Sequence, residues 1–247
     1  MANESEISMN RVMYEAMFPT FINGPIKKNP TVVDAVRLMY VNWKDADLED
    51  ADYVDSLLQM VGDQLFVCPT DQSARAYSHS SASVYLYHMT HIPSKSIWRL
   101  KWMRAAHAED LPFVFGWHFY HSEDWTMTPE EVKISLQIIK YWTNFAKTGN
   151  PNNSSSNGES SEESSYSEWL PFKVPGLSYK DLSTTMENNE GLKAMECSFW
   201  NDFIPKLVNL TDGDPVTSGQ QRTKFTLNTF LFLLYYGFLA ALYSVRM

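Results

Sequence analysis

The sequence predicts an α/β fold followed by a separate apolar segment. Three observations carry that reading. Helix-spaced apolar stripes flank a run of β-formers at 83–89, a capped amphipathic helix opens at Thr128, and 225–245 is a run of 21 residues without a charge. The chain has 247 residues, 44% of them apolar and 14% aromatic, so disorder of the whole is excluded.

Residues 31–43 place Val32, Val36, Met39, Tyr40 and Trp43 at helical spacing, and a second helix is expected over 50–60. The acidic run between them (Asp45, Asp47, Glu49, Asp50, Asp52) is not a calcium loop. Its sixth position is Asp50 where glycine is needed, and its twelfth is Ser56 in place of Glu, so it is read as a solvated face. After Cys68-Pro69 a short helix runs to Tyr77. Val84, Tyr85, Leu86 and Tyr87 then read as a strand over 83–89. His88 and His91 point to opposite faces of such a strand and cannot share a metal without a bend. His118 and His121 have no acidic or thiol partner at helical spacing and are assigned to packing and surface hydrogen bonds; no metal site is expected.

The clearest helix starts where Thr128 and Glu131 form a capping box with Pro129 at the first position. Val132, Leu136, Ile139, Trp142 and Ala146 predict its apolar stripe, widened by Ile138 and Phe145, and Gly149 and Pro151 end it. Residues 152–167 are Ser-, Asn- and Glu-rich and read as a flexible surface loop. A last helix over 191–203 carries Leu192, Met195, Phe199, Trp200 and Phe203 and stops before Pro205. No repeat period is present.

The organisation expected is a globular part at 1–211, a polar linker at 212–224 and an apolar segment at 225–245. Twenty-one residues rising ~1.5 Å each suffice to cross a ~30 Å hydrocarbon layer. Two anchors fit: a retained helix, or a signal exchanged for a glycolipid. The small residues before the polar stretch favour the glycolipid, with Ser218 as the attachment point. Up to Asp214 there are 17 Lys and Arg against 29 Asp and Glu, a net charge of about −12. A surface of that sign repels phosphate backbones, which excludes nucleic acid as a partner.

No signal peptide is visible at the first residues. Sequons at Asn3, Asn152, Asn153 and Asn209, with the apolar tail, nevertheless point to the secretory pathway, where Cys68 and Cys197 could bridge; separate buried thiols are the alternative. Asn3, Asn153 and Asn209 are the expected glycosylation sites. An anchor without an entry signal is reconciled if the chain is the C-terminal piece of a longer secreted protein; otherwise the product would have to insert by its tail alone.

His107 follows Trp98 and Trp102 and precedes an apolar patch. An imidazole on a loop between aromatic walls has the features of a general base, although its partners are not evident from composition. The stretch His107-Ala108-Glu109-Asp110-Leu111-Pro112-Phe113-Val114-Phe115-Gly116, followed by Tyr141-Trp142-Thr143-Asn144-Phe145-Ala146-Lys147-Thr148-Gly149-Asn150-Pro151-Asn152, resembles the C-terminal third of type-B carboxylesterases and cholinesterases. Val61-Gly62-Asp63 ahead of Val67-Cys68-Pro69, and Cys197-Ser198-Phe199-Trp200 ahead of Pro205-Lys206, agree with cholinesterases in particular. The resemblance covers residue 1 to about 210.

It implies the C-terminal portion of an α/β-hydrolase fold with an incomplete central sheet. In that family a Ser attacks the ester carbonyl, a His shuttles the proton and an acid orients the His. His107 corresponds to the family's catalytic histidine, and Cys68 and Cys197 to a family disulfide. No cofactor is implied. Gly-x-Ser-x-Gly occurs nowhere in the chain, so no turnover is expected from it alone. The partners implied are an ester, a choline ester among the candidates, the membrane through the tail, and a second copy in a homodimer. Where cholinesterases usually read His-Gly-Tyr-Glu, this chain reads His107-Ala108-Glu109-Asp110, closer to general carboxylesterases. The competing reading is a non-catalytic adhesion or binding protein of the same fold, against which the retained His107 argues. With most of a central sheet missing, residues 1–214 alone are expected to be marginally stable or to aggregate.

Overall fold

A computed structural model describes residues 8–22, 24–97, 105–120, 126–152 and 166–211. Asn3, Asn153, Ser218, Trp98, Trp102 and His121, the polar linker at 212–224, the apolar run at 225–245 and nearly all of the Ser-rich loop lie outside the described residues. No helix among those described is long and apolar enough to cross a membrane, and no group of three or more potential metal ligands forms among them.

Helices dominate the first half. α1 (Arg11–Phe21) is capped by Asn10, whose side chain accepts from the Met13 N–H at 2.9 Å, and it buries Tyr14 and Phe18 one turn apart. α2 (Pro30–Tyr40) is capped by Asn29 and buries Val32, Val33 and Val36. It ends short of the expected Trp43. Val41 turns extended, and Trp43, half exposed, folds its indole N–H back onto the Leu38 carbonyl at 3.0 Å. α3 (Val54–Gly62) starts four residues later than expected. Asp52 accepts from the N–H of Val54 and from that of Met9, so this acid, read as part of a solvated run, closes the helix start and ties it to the first described residues. A π-helical turn, Asp63–Val67, leads directly into α4 (Cys68–Ser78).

At the far end of the chain, α7 (Ala194–Ser198), a second π-helical turn at Phe199–Phe203 and α8 (Ile204–Thr211) run on without a break. The expected stop before Pro205 is therefore corrected. A ring without an N–H is tolerated in a helix's first turn, and the widened turn just upstream sets Pro205 as the second residue of α8. Cys68 and Cys197 are joined by a disulfide across this unit, with Cα atoms 4.7 Å apart. Tyr14, Phe18, Ile22, Val32, Val36, Leu57, Met60 and Ile204 form its core together with the disulfide.

A second core lies under a small sheet. β1 (Tyr87–Met89) pairs in parallel with β2 (Ser178–Leu182), which pairs antiparallel with β3 (Asn188–Glu190). The strand expected over 83–89 is regular only in its last three residues. Upstream, the Val84 carbonyl is used by the Phe172 N–H, and Tyr85 packs edge-on against Trp169. α5 (Leu111–Val114) and α6 (Pro129–Thr148) cover the sheet residues, with Phe113, Ile134, Ile138, Tyr141, Trp169, Leu182 and Met186 buried together.

α6 has the capping box and αL glycine end the sequence predicts, with Gly149 at φ 74°. Its buried face is different. Glu131, Ile134, Ser135, Ile138, Tyr141 and Asn144 point inward, while Leu136 and Phe145 of the predicted stripe are 47% and 44% exposed. Polar partners explain the rotation: Ser135 donates to the Phe113 carbonyl at 2.7 Å, and Asn144 to the Pro151 carbonyl at 3.0 Å.

Candidate active-site histidine

His107 opens a tight turn over residues 107–110 that runs into α5. Glu109 N–H donates to the Ala106 carbonyl at 3.2 Å and Leu111 N–H to the Ala108 carbonyl at 3.1 Å. Ala108 sits at φ 69°, in the left-handed region that an L side chain enters at a cost of roughly 1–2 kcal/mol. This is the position at which the resembled cholinesterases read glycine. The imidazole is exposed and stacks on Phe66 of the π-helical turn, ring centroids 4.3 Å apart and planes 22° from parallel. Trp98 and Trp102, the walls expected from sequence, lie outside the described residues; the aromatic surface described against His107 is Phe66.

Of the next two residues of the turn, Glu109 is buried and Asp110 is partly exposed. Glu109 is 1% exposed, and its carboxylate accepts from the Ser96 hydroxyl and, at 3.3 Å, from the Ile97 N–H. Asp110 accepts from the Tyr87 hydroxyl of β1 at 3.1 Å. Burial, then the Asp110 charge and its hydrogen bond, push the Tyr87 phenol well above its ordinary pKa.

A second buried carboxylate holds the same strap of chain from the other side. Glu131, besides closing its capping box on the Thr128 N–H, accepts from the Ser94 N–H at 2.5 Å and the Ser94 hydroxyl at 2.6 Å, and meets His91 Nε2 at 3.2 Å. Burial alone would raise its pKa. The hydrogen bonds from the Ser94 side chain and backbone, the Thr128 N–H and His91 outweigh that and hold it below the usual carboxylate range.

The other histidines are not drawn to this place. His88 lies on β1 beside Tyr179, its pKa lowered by burial, while His91 lies past the end of the strand and meets Glu131. His118 is packed on Phe119, its two ring nitrogens without a partner among the described residues, and burial lowers its pKa. Asn209 is exposed on α8, and the threonine of its sequon, Thr211, is tied to the Leu207 carbonyl and to Asn29. Asn152 engages both ends of its amide with Trp169. Phe66, Ser96 and the inward turn of Glu109 were not foreseen from sequence. Glu109 stood inside the quoted motif, but nothing in its neighbours distinguishes a buried acid from an exposed one.

What such a turn can do chemically is present and move a proton on an imidazole whose face is occupied and whose in-plane nitrogens lie at its edge. A carboxylesterase-family model matches residues 2–200, most of the chain. The chain belongs to the carboxylesterase family, whose fold is that of the α/β-hydrolases, and the three-stranded mixed sheet with its helices is the part of it described here.

Among its relatives are acetylcholinesterases. That of Bungarus fasciatus is 32% identical over 200 residues, 81% of this chain and 31% of the relative. That of Gallus gallus is 32% identical over 193 residues, 78% of this chain and 24% of the relative, and that of Electrophorus electricus is 30% identical over 229 residues, 80% and 35% respectively. The chain thus spans about a third or less of the length of these curated relatives.

Proposed function

We propose that this chain is the C-terminal part of a serine carboxylic-ester hydrolase of cholinesterase type, in which His107 is the proton shuttle of a Ser-His-acid triad. The observation that supports it most is the intact stretch 107–116, with His107 held at the surface of a tight turn and its ring face against Phe66. An imidazole in that position takes the proton from an attacking serine and returns it to the leaving alcohol. The serine of Gly-x-Ser-x-Gly would come from outside these residues, and by itself the chain is inactive.

A choline ester is the substrate class favoured by charge, since about −12 on the globular part draws cations inward. The site is extracellular, residues 212–224 are a linker, and 225–245 serve as an anchor through a glycolipid at Ser218 or as a retained helix. A homodimer belongs to the same reading. The test is esterase activity of the chain expressed in frame behind a region carrying Gly-x-Ser-x-Gly. Hydrolysis that falls about 10⁴-fold or more in His107→Gln supports the assignment, as loss of a triad member does. Undiminished hydrolysis in that variant overturns it.

A further inference from the structure

We propose that Glu109 is a positioning residue for His107 and that Phe66 is the surface against which it sets the imidazole. The proposal deepens the triad reading and rests on it for its functional meaning. Its geometry stands on contacts of this chain alone.

Among the described residues, the turn bearing His107 is closed by backbone hydrogen bonds from Glu109 and Leu111, runs into α5 through the Asp110 carbonyl, and holds Ala108 in an unfavourable left-handed conformation. Yet two residues beyond an exposed imidazole, Glu109 is 1% exposed. A carboxylate left in a protein interior without hydrogen bonds is strongly unfavourable, so its placement is defined by its donors. Among the described residues those donors are the Ser96 hydroxyl and the Ile97 N–H. The same strap is fixed two residues earlier, where Ser94 gives both its N–H and its hydroxyl to Glu131 in the first turn of α6. The longest described helix, the strap and the His107 turn are therefore linked through two buried carboxylates. Asp110 adds a third tie, to Tyr87 of β1.

Phe66 closes the opposite side. It belongs to the π-helical turn immediately before Cys68, whose disulfide to Cys197 ties that turn to the C-terminal helices. Contact through the ring face at 4.3 Å limits how the imidazole tilts while leaving its in-plane nitrogens, the atoms that exchange protons, at the edge. A lever with one end on Glu109 and the other against Phe66 acts on the ring through its face.

The test is nuclear magnetic resonance of the full 247-residue oxidised chain with carbon-13 in its histidine rings, the His107 signal being assigned from His107→Gln. A ring stacked on Phe66 gives carbon-bound protons upfield of free histidine. Phe66→Leu returns them toward the free value and Phe66→Tyr retains the shift. In Glu109→Ala the His107 signal loses its upfield displacement while those of His88 and His91 stay in place. Glu109→Gln, which keeps an oxygen acceptor for the strap, restores it. If Glu109→Ala disturbs the other histidines as well, Ser96→Ala decides, since it deletes one hydrogen bond to the carboxylate; the His107 signal is expected to move the same way. A His107 signal unmoved in Glu109→Ala, or in Ser96→Ala where that variant is the arbiter, overturns the proposal. Because the readout involves no ester, a failure of His107→Gln to abolish hydrolysis would instead sink the triad assignment and leave this geometry standing.

Discussion

The helical unit and the sheet unit bury their charges by different means. In the helical unit the buried acids reach a cation at the rim. Asp71 meets Arg75 one turn on at 2.7 Å, and Asp63 lies 3.4 Å from Lys193 while accepting from the Tyr40 hydroxyl. In the sheet unit the buried charges are solvated mostly by neutral groups. Lys180, with no exposed surface, donates to the carbonyls of Ser167, Glu168 and Met186 and to the Ser167 hydroxyl. Glu131 is held by two backbone N–H groups, a hydroxyl and His91. A pair at the rim tolerates some movement, whereas a charge solvated by backbone fixes the loops that supply its partners. It is the second kind that surrounds the His107 turn.

The largest effect separating the two units should come from the disulfide. It closes a loop of 129 residues in sequence, and in the chain-entropy account its loss costs about 5 kcal/mol. Replacing both Cys68 and Cys197 by alanine is expected to lower the denaturation midpoint sharply. Hydrogen exchange should show the loss first in α3, α4 and α7. Equal deprotection of α6 and the sheet would mean that the two cores unfold as one.

Next come the charges of the sheet unit. Glu131→Ala removes four hydrogen-bond partners and is expected to cost about 3 kcal/mol at neutral pH, given 1.5–3 kcal/mol for bonds to a charged group and partial compensation by water. Its folded-state pKa is depressed, so its contribution is present above the unfolded carboxylate pKa and is lost as pH falls through the lower folded value. Wild type should therefore destabilise more steeply than Glu131→Gln between pH 5 and the acid limit, read from urea midpoints across that range. Parallel curves would refute the role.

Lys180 gives the same sign of slope in an alkaline window, because its folded-state pKa is lowered too. Burial lowers its pKa to about 8, only partly countered by the Glu168 charge. Between about pH 8 and the unfolded value the unfolded chain holds a proton that the folded chain has released, so stability rises with pH there. Lys180→Met should flatten that rise between about pH 8 and about pH 10. At pH 7 its effect is smaller, within about 2 kcal/mol, because the carbonyls left without a donor offset the relief of burying an ammonium.

What was legible in the sequence follows the same divide. The start and stop of α6 were readable because every signal lies within a few residues: Thr128, Pro129, Glu131 and Gly149 act on their own turn. The face that α6 buries was not. Ser135 and Asn144 are satisfied by partners at Phe113 and Pro151, and only the folded chain brings those within reach. His107 was found from its motif, and the link between Cys68 and Cys197 from the resemblance that the motif carried. Phe66 lies 41 residues before His107, and no local pattern couples a phenylalanine in one helical turn to an imidazole in another. Likewise Asp52 read as one acid among five, and only the N–H groups of Met9 and Val54 set it apart.

The smallest predicted effect falls on the turn between the two units. Ala108 holds φ 69° where a Cβ is unfavourable, and the turn is kept there by Glu109 on one side and by the Leu111 N–H on the other. Ala108→Gly removes the steric penalty of roughly 1–2 kcal/mol but returns some conformational entropy to the unfolded chain, for a net gain of about 0.5–1 kcal/mol. Urea denaturation should show a small rise in midpoint without a change in slope. If the substitution destabilised instead, the left-handed turn would not be the resting conformation at His107, and the geometry that sets the imidazole against Phe66 would have to be redrawn.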